Sequence, residues 1–212
     1  MLTIILRLKA GEHIVEPVAV PFHEREALLY LGADPEDKEA AVLVDCAFLM
    51  LRNEMQPRAA AKRFSYAVVT GKFGRETGVL LSGGVTLCSS FLAHRLKGCT
   101  SLLVFAVTLG YRMDAAISRI TAQNSAEGAA AEAVGKALLD AYLHKQEAIW
   151  KSKLPGSRGF LPCISPGTED WPFNEQKKIF ALLEGTEVTD LTACAEKGVF
   201  PAKSVVGVIG IY

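Results

Sequence analysis

A Pro-Gly turn followed closely by an amphipathic helix is the feature of this sequence that most constrains the fold. Pro166-Gly167 can bend the backbone sharply, because proline has a fixed φ and glycine has no Cβ. Asp170 stands two residues before Pro172, near the start of the helix, where a carboxylate can accept from free backbone N–H groups. Much of one apolar face of this segment comes from Phe173, Ile179, Phe180, Leu182 and Leu183. The pattern predicts a sharp turn held in place by a helix that docks on a core.

The length and charge of the chain exclude several classes of protein. A chain of 212 residues is long enough for one substantial core, and one or two domains both fit that length. Its 23 basic and 23 acidic residues balance, so nothing in the composition points to nucleic acid or an anionic membrane surface. Residues 1–9 are apolar but too short to span a bilayer, and they lack a signal-peptide layout. We therefore expect a soluble, cytoplasmic protein.

The cysteines and histidines give no sign of a metal site. The sequence contains no CxxC pair, and no two histidines have the spacing of metal ligands on a helix. Free, buried thiols in a reducing compartment are the expected state of Cys46, Cys88, Cys99, Cys163 and Cys194.

The order of the predicted elements favours an α+β fold, with a largely antiparallel sheet packed by helices. Short strands at 2–8 and 14–20 predict an N-terminal extension over residues 1–24, followed by a main domain over 25–212; a single domain over 1–212 also fits. The unbroken apolar run Ser101–Leu109 predicts a central strand. The other predicted strands are 62–70 and 78–81, and the predicted helices are 24–31, 34–55, 88–96, 113–123 and 125–151.

No catalytic nucleophile and base are apparent. Ser165 precedes a proline and no G-x-S-x-G motif occurs. His94 is predicted to be a surface residue of a helix, and Asp114 to cap the helix that follows Gly110.

Several short motifs, spread from about residue 25 to the C-terminus, have the same order and spacing as in a known protein family. They are His94–Cys99, Phe105–Gly110, Ser165-Pro166-Gly167, Asp170-Trp171-Pro172, Gln176-Lys177, Pro201, Lys203-Ser204-Val205 and Ile209-Gly210-Ile211. In these motifs the chain resembles the S-adenosylmethionine-binding activation domain of vitamin B12-dependent methionine synthase, and above all the short stand-alone proteins of that family. The resemblance implies the fold of that domain.

The resemblance also implies a site for S-adenosylmethionine around the turn. The cofactor-binding positions it assigns are Cys163, Ser165, Pro166, Gly167, Thr168 and Asp170. At two of them the chain departs from the family, because Cys163 replaces an arginine and Thr168 replaces a tyrosine. Arginine offers a charged fork of donors to a carboxylate, and tyrosine offers a broad ring, so we expect weak binding of the methyl donor. Arg158, Tyr111 and Arg112 carry the missing residue types elsewhere.

The function implied by the resemblance is support of the reductive methylation of cobalamin, with the cobalamin held by a partner protein. That partner would be a cobalamin-binding protein or a methionine synthase that lacks its own activation domain. No residue of this chain is expected to be catalytic, since the cobalamin carries the chemistry. Two alternatives remain open: a docking module for a corrinoid protein that has lost S-adenosylmethionine binding, and an enzyme that acts on an unrelated small molecule.

Overall fold

A computed structural model describes residues 20–71, 74–154, 158–183, 191–194 and 198–212. The helices of these residues are α1 (Glu24–Leu31), α2 (Lys38–Leu51), α3 (Ser90–Arg95), α4 (Tyr111–Gln123), α5 (Ser125–Ser152) and α6 (Gln176–Leu183). The strands are β1 (Arg58–Phe64), β2 (Tyr66–Thr70), β3 (Glu76–Leu81), β4 (Thr86–Leu87), β5 (Ser101–Thr108), β6 (Thr192–Cys194), β7 (Gly198–Phe200) and β8 (Ser204–Ile211). All strand pairs are antiparallel, and the predicted α+β class is confirmed.

Strand β5 is the centre of the main sheet, as its unbroken apolar run predicts. Every residue of β5 is buried. It pairs with β1 on one side and with β8 on the other, and Phe105 stands between Ala61 and Gly207. A strand that is covered on both faces has no polar side, which explains the continuous run in place of an alternating one.

Each face of the main sheet has its own hydrophobic core. Phe105 and Trp150 belong to the first core, which also contains side chains of α1, α2, α4 and α5. Val104 and Trp171 belong to the second core, together with side chains of α3, α6, β3 and β4. The sheet is therefore the middle layer, and β2, β3 and β4 form a second small sheet beyond the second core.

The long helix α5 lies on the first face and packs against three other helices. Its 28 residues correspond to about 42 Å. Small residues near its start let α4 come close. At Gly128 an added Cβ would stand 2.5 Å from Oγ1 of Thr121, so no larger residue fits there without a shift of one helix.

Helix α2 is shorter at both ends than its sequence pattern predicts. It begins at Lys38 and not near Asp34, because the carboxylate of Asp37 accepts from two N–H groups of the first turn at 2.9 and 3.1 Å. It ends at Leu51. The backbone N–H of Gln56 then donates at 2.8 Å to the carbonyl of Leu109, the residue after β5, just before β1 begins.

The single strand predicted over 62–70 is wrong, because the chain changes sheets within it. Strand β1 ends at Phe64 in the main sheet, and β2 begins at Tyr66 in the second sheet. Between them, the carbonyl of Ser65 accepts from the N–H of Ser82 at 2.8 Å. The alternation of side chains along 62–70 continues past Ser65. It therefore cannot show that the chain leaves one sheet and joins the other at this point.

The predicted N-terminal strands fall almost wholly in residues 1–19, outside the described residues, so they and the division of the chain near residue 24 stay predictions. Val20, where the described residues begin, is buried against the first core. Across the described ranges no helix is both long and apolar enough to cross a bilayer.

Candidate functional site

Residues 158–164 run beside β8 as an irregular extra edge of the main sheet. Ile164 N–H donates to the carbonyl of Val208, and Val208 N–H donates back to Ile164, both at 2.9 Å. Gly207 makes this approach possible, because a Cβ there would stand 2.3 Å from the carbonyl oxygen of Ile164. The turn that follows Ile164 is therefore anchored to the sheet.

The turn itself, residues 165–171, is closed by its own backbone. Thr168 N–H donates to Ser165 at 3.1 Å, Gly167 N–H donates to Trp171 at 2.8 Å, and Trp171 N–H donates to Thr168 at 3.0 Å. Gly167 has φ of +100° and Glu169 has φ of +51°, so the chain adopts left-handed conformations on both sides of Thr168. Residues 167–170 are exposed. The result is an ordered and accessible backbone.

Two aromatic rings flank this turn. Trp171 is buried in the second core, and its indole Nε1 has no hydrogen-bond partner among the described residues. Phe173 is half exposed and lies over Gly167, where an added Cβ would stand 3.3 Å from its ring. Pro166 is buried. Trp171 therefore anchors the end of the turn in the second core, and the ring of Phe173 lies beside Gly167.

The carboxylate of Asp170 caps α3, and not the helix that follows it in sequence. It accepts from the backbone N–H groups of Ser90 at 2.9 Å and Phe91 at 3.1 Å. It also accepts from the hydroxyl of Ser89 at 2.5 Å and from the hydroxyl of Ser90. The hydroxyl bonds, and then the backbone bonds, favour the charged form and lower the pKa of Asp170 to about 2. Asp170 is therefore a positioning residue that holds the turn against α3.

A second polar tie joins α6 to the segment before α3. Glu175 accepts from the backbone N–H of Cys88 at 3.1 Å and pairs with Lys178 at 2.7 Å. The ammonium of Lys178 donates to the carbonyl of Thr86 at 2.7 Å. Sequence analysis missed these residues, although Glu175 and Lys178 have the i,i+3 spacing of a helical ion pair. It missed Ser89 as well, which has the position of an N-cap before an apolar run.

Cys163 lies on the α5 side of the sheet. It is half-buried and packs against the first core, whereas the adjacent Ile164 belongs to the second. Burial raises the pKa of the Cys163 thiol, and the carboxylates of Glu147 and Asp140 on α5 raise it further. The position at which the resembling family has arginine is therefore a thiol that faces two acids. Thr168, at the tyrosine position, is exposed on the turn.

Arg112 and Tyr111, which carry the residue types missing at the turn, lie at the start of α4. The guanidinium of Arg112 pairs with Glu54, after α2, at 2.9 Å, and Tyr111 is exposed. The prediction that Asp114 caps α4 is wrong, because α4 already begins at Tyr111. Its carboxylate accepts instead from the backbone N–H of Lys203 at 3.2 Å, and so fixes the loop before β8.

Arg158 stands at the far end of the edge that leads to the turn. Its backbone N–H donates to Tyr212 at 2.9 Å, whereas Ile164 pairs with Val208. Tyr212 lies four positions after Val208, about 13 Å along an extended chain. The backbone of Arg158 is therefore not beside Cys163.

The predictions for histidine and cysteine are confirmed in part. His94 is exposed on α3, as predicted. Cys46, Cys88, Cys99 and Cys163 are free, but Cys46 and Cys88 are exposed and not buried: Cys46 lies on the side of α2 that faces away from the core, and Cys88 lies in the segment between β4 and α3. The side chain of Cys194 is outside the described residues. Within the described ranges no group of three or more His, Cys, Asp or Glu could hold a metal ion.

An open cleft of about 540 Å³ lies between the start of α1 and α5. It is lined by Pro21, His23, Glu26, Ala141, His144 and Lys145. None of these residues belongs to the turn, so the cleft and the turn are separate features.

The described residues form an α+β domain in which helices lie on both faces of an antiparallel sheet. The chain is similar in structure to a MetH reactivation domain solved in a crystal bound to AdoHcy, with a TM-score of 0.55. The two share 21% sequence identity, and the match covers 86% of this chain and 68% of that domain. No protein-family model matches the chain, and neither does any curated protein. The likeness at this level of identity is one of fold.

Proposed function

We propose that this chain is a reactivation-domain-like module that binds an S-adenosylmethionine-type ligand at the turn of residues 165–170. The supporting observation is the ordered, exposed turn on a fold shared with a domain crystallised with AdoHcy. AdoHcy is what remains of S-adenosylmethionine after its methyl group has been transferred. In this proposal the backbone of Ser165, Pro166 and Gly167 contacts the ligand, while Glu169 and Asp170 shape the loop.

The residues present fit such a ligand only in part. The backbone of the turn is exposed and preordered, which lowers the entropic cost of binding. The side chains contribute less, because residues 163–170 contain no lysine or arginine to pair with the carboxylate of the methyl donor. The carboxylate of Asp170 is already bonded to α3. We therefore expect the backbone to set the position of the ligand and the affinity to be low.

The expected loss of affinity follows from the two missing side chains. A charge-assisted hydrogen bond contributes about 1.5–3 kcal/mol, and a lost aromatic contact adds to that. At about 1.4 kcal/mol per factor of ten, the loss is roughly ten- to a hundredfold or more.

The partner in this proposal is a cobalamin-binding protein, or a methionine synthase that lacks its own activation domain. Cobalamin bound to that partner would supply the methyl-accepting cobalt. This chain contains no Asp-x-His-x-x-Gly run that could offer cobalt a histidine. Its own residues would bind and orient the ligand, and no general base is required of them.

A second candidate is a docking module that recognises the corrinoid protein without using the methyl donor. It is favoured by the surroundings of Cys163, whose thiol faces the carboxylates of Glu147 and Asp140. A ligand carboxylate at this place would be repelled by both acids. In this case the turn would contact the partner directly.

Calorimetric titration with S-adenosylmethionine and with AdoHcy tests the first proposal. We expect weak binding by the unmodified protein and a gain of about tenfold for Thr168→Tyr, since the ring restores a stacking surface at an exposed position. Adding Cys163→Arg should increase affinity less than an arginine in neutral surroundings would, because the negative charges of Asp140 and Glu147, which raise the pKa of the Cys163 thiol, would also attract the guanidinium. Thr168→Val is the matched control and should bind like the unmodified protein.

Two outcomes would contradict the ligand proposal. Micromolar binding by the unmodified protein would mean that the site is built from other residues. No binding by any variant, together with retained binding to a purified cobalamin-carrying protein of the same host, would favour the docking module. If free cobalamin bound tightly and no such protein did, the partner model would be wrong.

A further inference from the structure

Strand β2 lies at the edge of the second sheet, and the direction of its backbone hydrogen bonds follows from the residues at its two ends. Ser65, just before β2, accepts from the backbone N–H of Ser82 at 2.8 Å. Gly71, just after β2, donates from its N–H to the carbonyl of Arg75 at 2.7 Å. Both odd-numbered residues therefore bond towards β3. Because this direction alternates from one residue to the next in an antiparallel pair, the even-numbered residues of β2 face the opposite side.

Tyr66, Val68 and Thr70 thus direct their backbone N–H and C=O groups to the outer edge of β2. Among the described residues no strand pairs with this edge, and no residue of β2 is buried. The register shift near Thr70 leaves β2 itself regular, because the extra residue is Thr77 of β3. The edge therefore presents a straight row of hydrogen-bonding groups to which another strand can be added.

The side chains of β2 lack the features that keep an edge strand unpaired. Charged residues and prolines at a free edge discourage the addition of another strand. The outer edge of β1 also has no partner among the described residues, and β1 carries three charges, Arg58, Lys62 and Arg63. Strand β2 has the sequence YAVVT, with no charge and no proline. Of these two open edges, only that of β2 is suited to pairing.

Val68 also exposes an apolar side chain on the core side of the second sheet. It stands opposite Val79, and opposite residues of an antiparallel pair point to the same face. Val79 is fully buried in the second core, whereas Val68 is 38% exposed. The difference arises because β3 lies between two strands and β2 has a neighbour on one side. A strand added at the open edge would cover Val68.

We propose that the open edge of β2 pairs antiparallel with β2 of a second copy of this chain, about a two-fold axis at Val68. Val68 of each copy then forms the central pair, and Tyr66 of each copy stands opposite Thr70 of the other. These are the residues whose N–H and C=O groups face the edge, so each pair exchanges two hydrogen bonds.

A second copy fits this edge better than a charged peptide does. The edge offers no charge for such a peptide to pair with. A copy has the same length of about 17 Å, and it places aromatic or β-branched side chains opposite each other at every bonded pair. The pairing joins the two second sheets into one and uses the open edge of both copies, so association stops at the dimer.

Sedimentation velocity of the full-length protein tests the dimer. A contact between two five-residue strands is smaller than the about 1,200 Å² of stable complexes, so we expect a weak dimer that forms between about 10 µM and about 1 mM. Val68→Lys and Val68→Glu should each weaken dimerisation by about tenfold or more, because each places two like charges opposite one another. Leu80→Lys is the matched control and should dimerise normally, since Leu80 is 40% exposed but belongs to β3.

An equimolar mixture of Val68→Lys and Val68→Glu locates the two-fold axis. The mixture should recover the dimer, because a lysine then stands opposite a glutamate. A monomer at every concentration of the unmodified protein would overturn the proposal, and so would a dimer that Val68→Lys leaves intact. Failure of the mixture to recover the dimer would exclude an axis at Val68.

Hydrogen exchange of the unmodified protein tests the same contact without a substitution. The amide of Val68 faces the open edge, whereas the amide of Ala67 bonds towards β3. We expect exchange at Val68 to slow as the protein concentration rises and exchange at Ala67 to stay the same. Equal behaviour of the two amides would show that the open edge of β2 is not the site of association.

Discussion

Asp170 and Ser90 are separated by 80 residues in the chain, yet the carboxylate of Asp170 accepts a 2.9 Å hydrogen bond from the backbone N–H of Ser90. The exposed turn is therefore held by a helix from a distant part of the sequence. Its position depends on α3 as much as on α6, the helix that follows it. A change at this contact should alter both the stability of the protein and the geometry of the candidate site.

Removal of this cap should be measurable at neutral pH. We expect Asp170→Ala to lower the free energy of unfolding by about 1 kcal/mol, as for other lost N-caps. Asp170→Asn keeps an acceptor oxygen and should lose less. Urea denaturation at pH 7 measures both changes, and equal stability of the unmodified protein and Asp170→Ala would show that the cap is not formed.

The same contact should make stability depend on pH in the acid range. The pKa of Asp170 is depressed to about 2, from an ordinary value of about 3.9 in the unfolded chain. Its contribution is therefore complete above the unfolded pKa and is lost as the pH falls through the folded pKa. The difference in unfolding free energy between the unmodified protein and Asp170→Ala should shrink between pH 4 and pH 2. Asp170→Asn has no charge to lose, so a similar decline in that variant would point to other groups.

Gly207 should be intolerant of any side chain. A Cβ at this position would stand 2.3 Å from the carbonyl oxygen of Ile164, a backbone atom that cannot rotate away. We expect Gly207→Ala to cost about 1–3 kcal/mol, as overpacking does in other cores. Gly159→Ala is the matched control on the same edge, because its Cβ would meet Tyr212 at an ordinary 3.8 Å. Equal urea midpoints for the two variants would show that the edge segment is free to move.

Removal of Glu132, the partner of Lys203, should destabilise the protein more than removal of the partner of an exposed lysine. Lys203 is buried and its ammonium lies 2.8 Å from the carboxylate of Glu132, whose side chain is 44% exposed. Loss of the partner leaves a buried charge unpaired, but water can reach the pair, so we expect Glu132→Gln to cost about 1–2 kcal/mol. In the exposed pair with Lys97, Glu76→Gln should cost less than about 1 kcal/mol. Thermal unfolding of both variants provides the comparison, and equal losses would argue against the burial of Lys203.

Charge reversal beside the turn should affect association more than folding. Glu169 and Lys177 are exposed on either side of Pro172. Glu169→Lys and Lys177→Glu should change stability by less than about 0.5 kcal/mol, as exposed substitutions usually do. If the proposed partner is a cobalamin-carrying protein, they should change the rate of association with it, and the change should weaken at high salt. Lys136→Glu, at an exposed position of α5, is the control. If all three variants had the same association rate, the turn would not face the partner.

The sequence predicts the elements whose signal is local. The apolar run of β5 depends only on the burial of that strand, and its prediction as a central strand is confirmed. Helix α1 has the predicted range 24–31, and Gly32 ends it with a left-handed φ of 75°. In each case the physical cause lies within a few residues of the element.

Contacts between distant segments could not be predicted in this way. The sequence indicates that Asp170 accepts from backbone N–H groups, but several helix starts could receive that carboxylate. Only the folded chain selects α3. In the same way, the sequence places Cys163 in the turn motif, while its direction towards α5 follows from the pairing of Ile164 with β8.

Each core of the protein carries one of its two tryptophans. Trp150 lies 5.7 Å from Phe105 on the α5 side of the sheet, and Trp171 lies beneath the turn on the other side. The intrinsic fluorescence of the protein is therefore divided between two layers. With Trp150→Phe the remaining emission reports on the layer that holds the turn, and with Trp171→Phe it reports on the helical layer behind the sheet. Detachment of the turn from α3 would be visible as a spectral shift in the first variant while the second stayed silent.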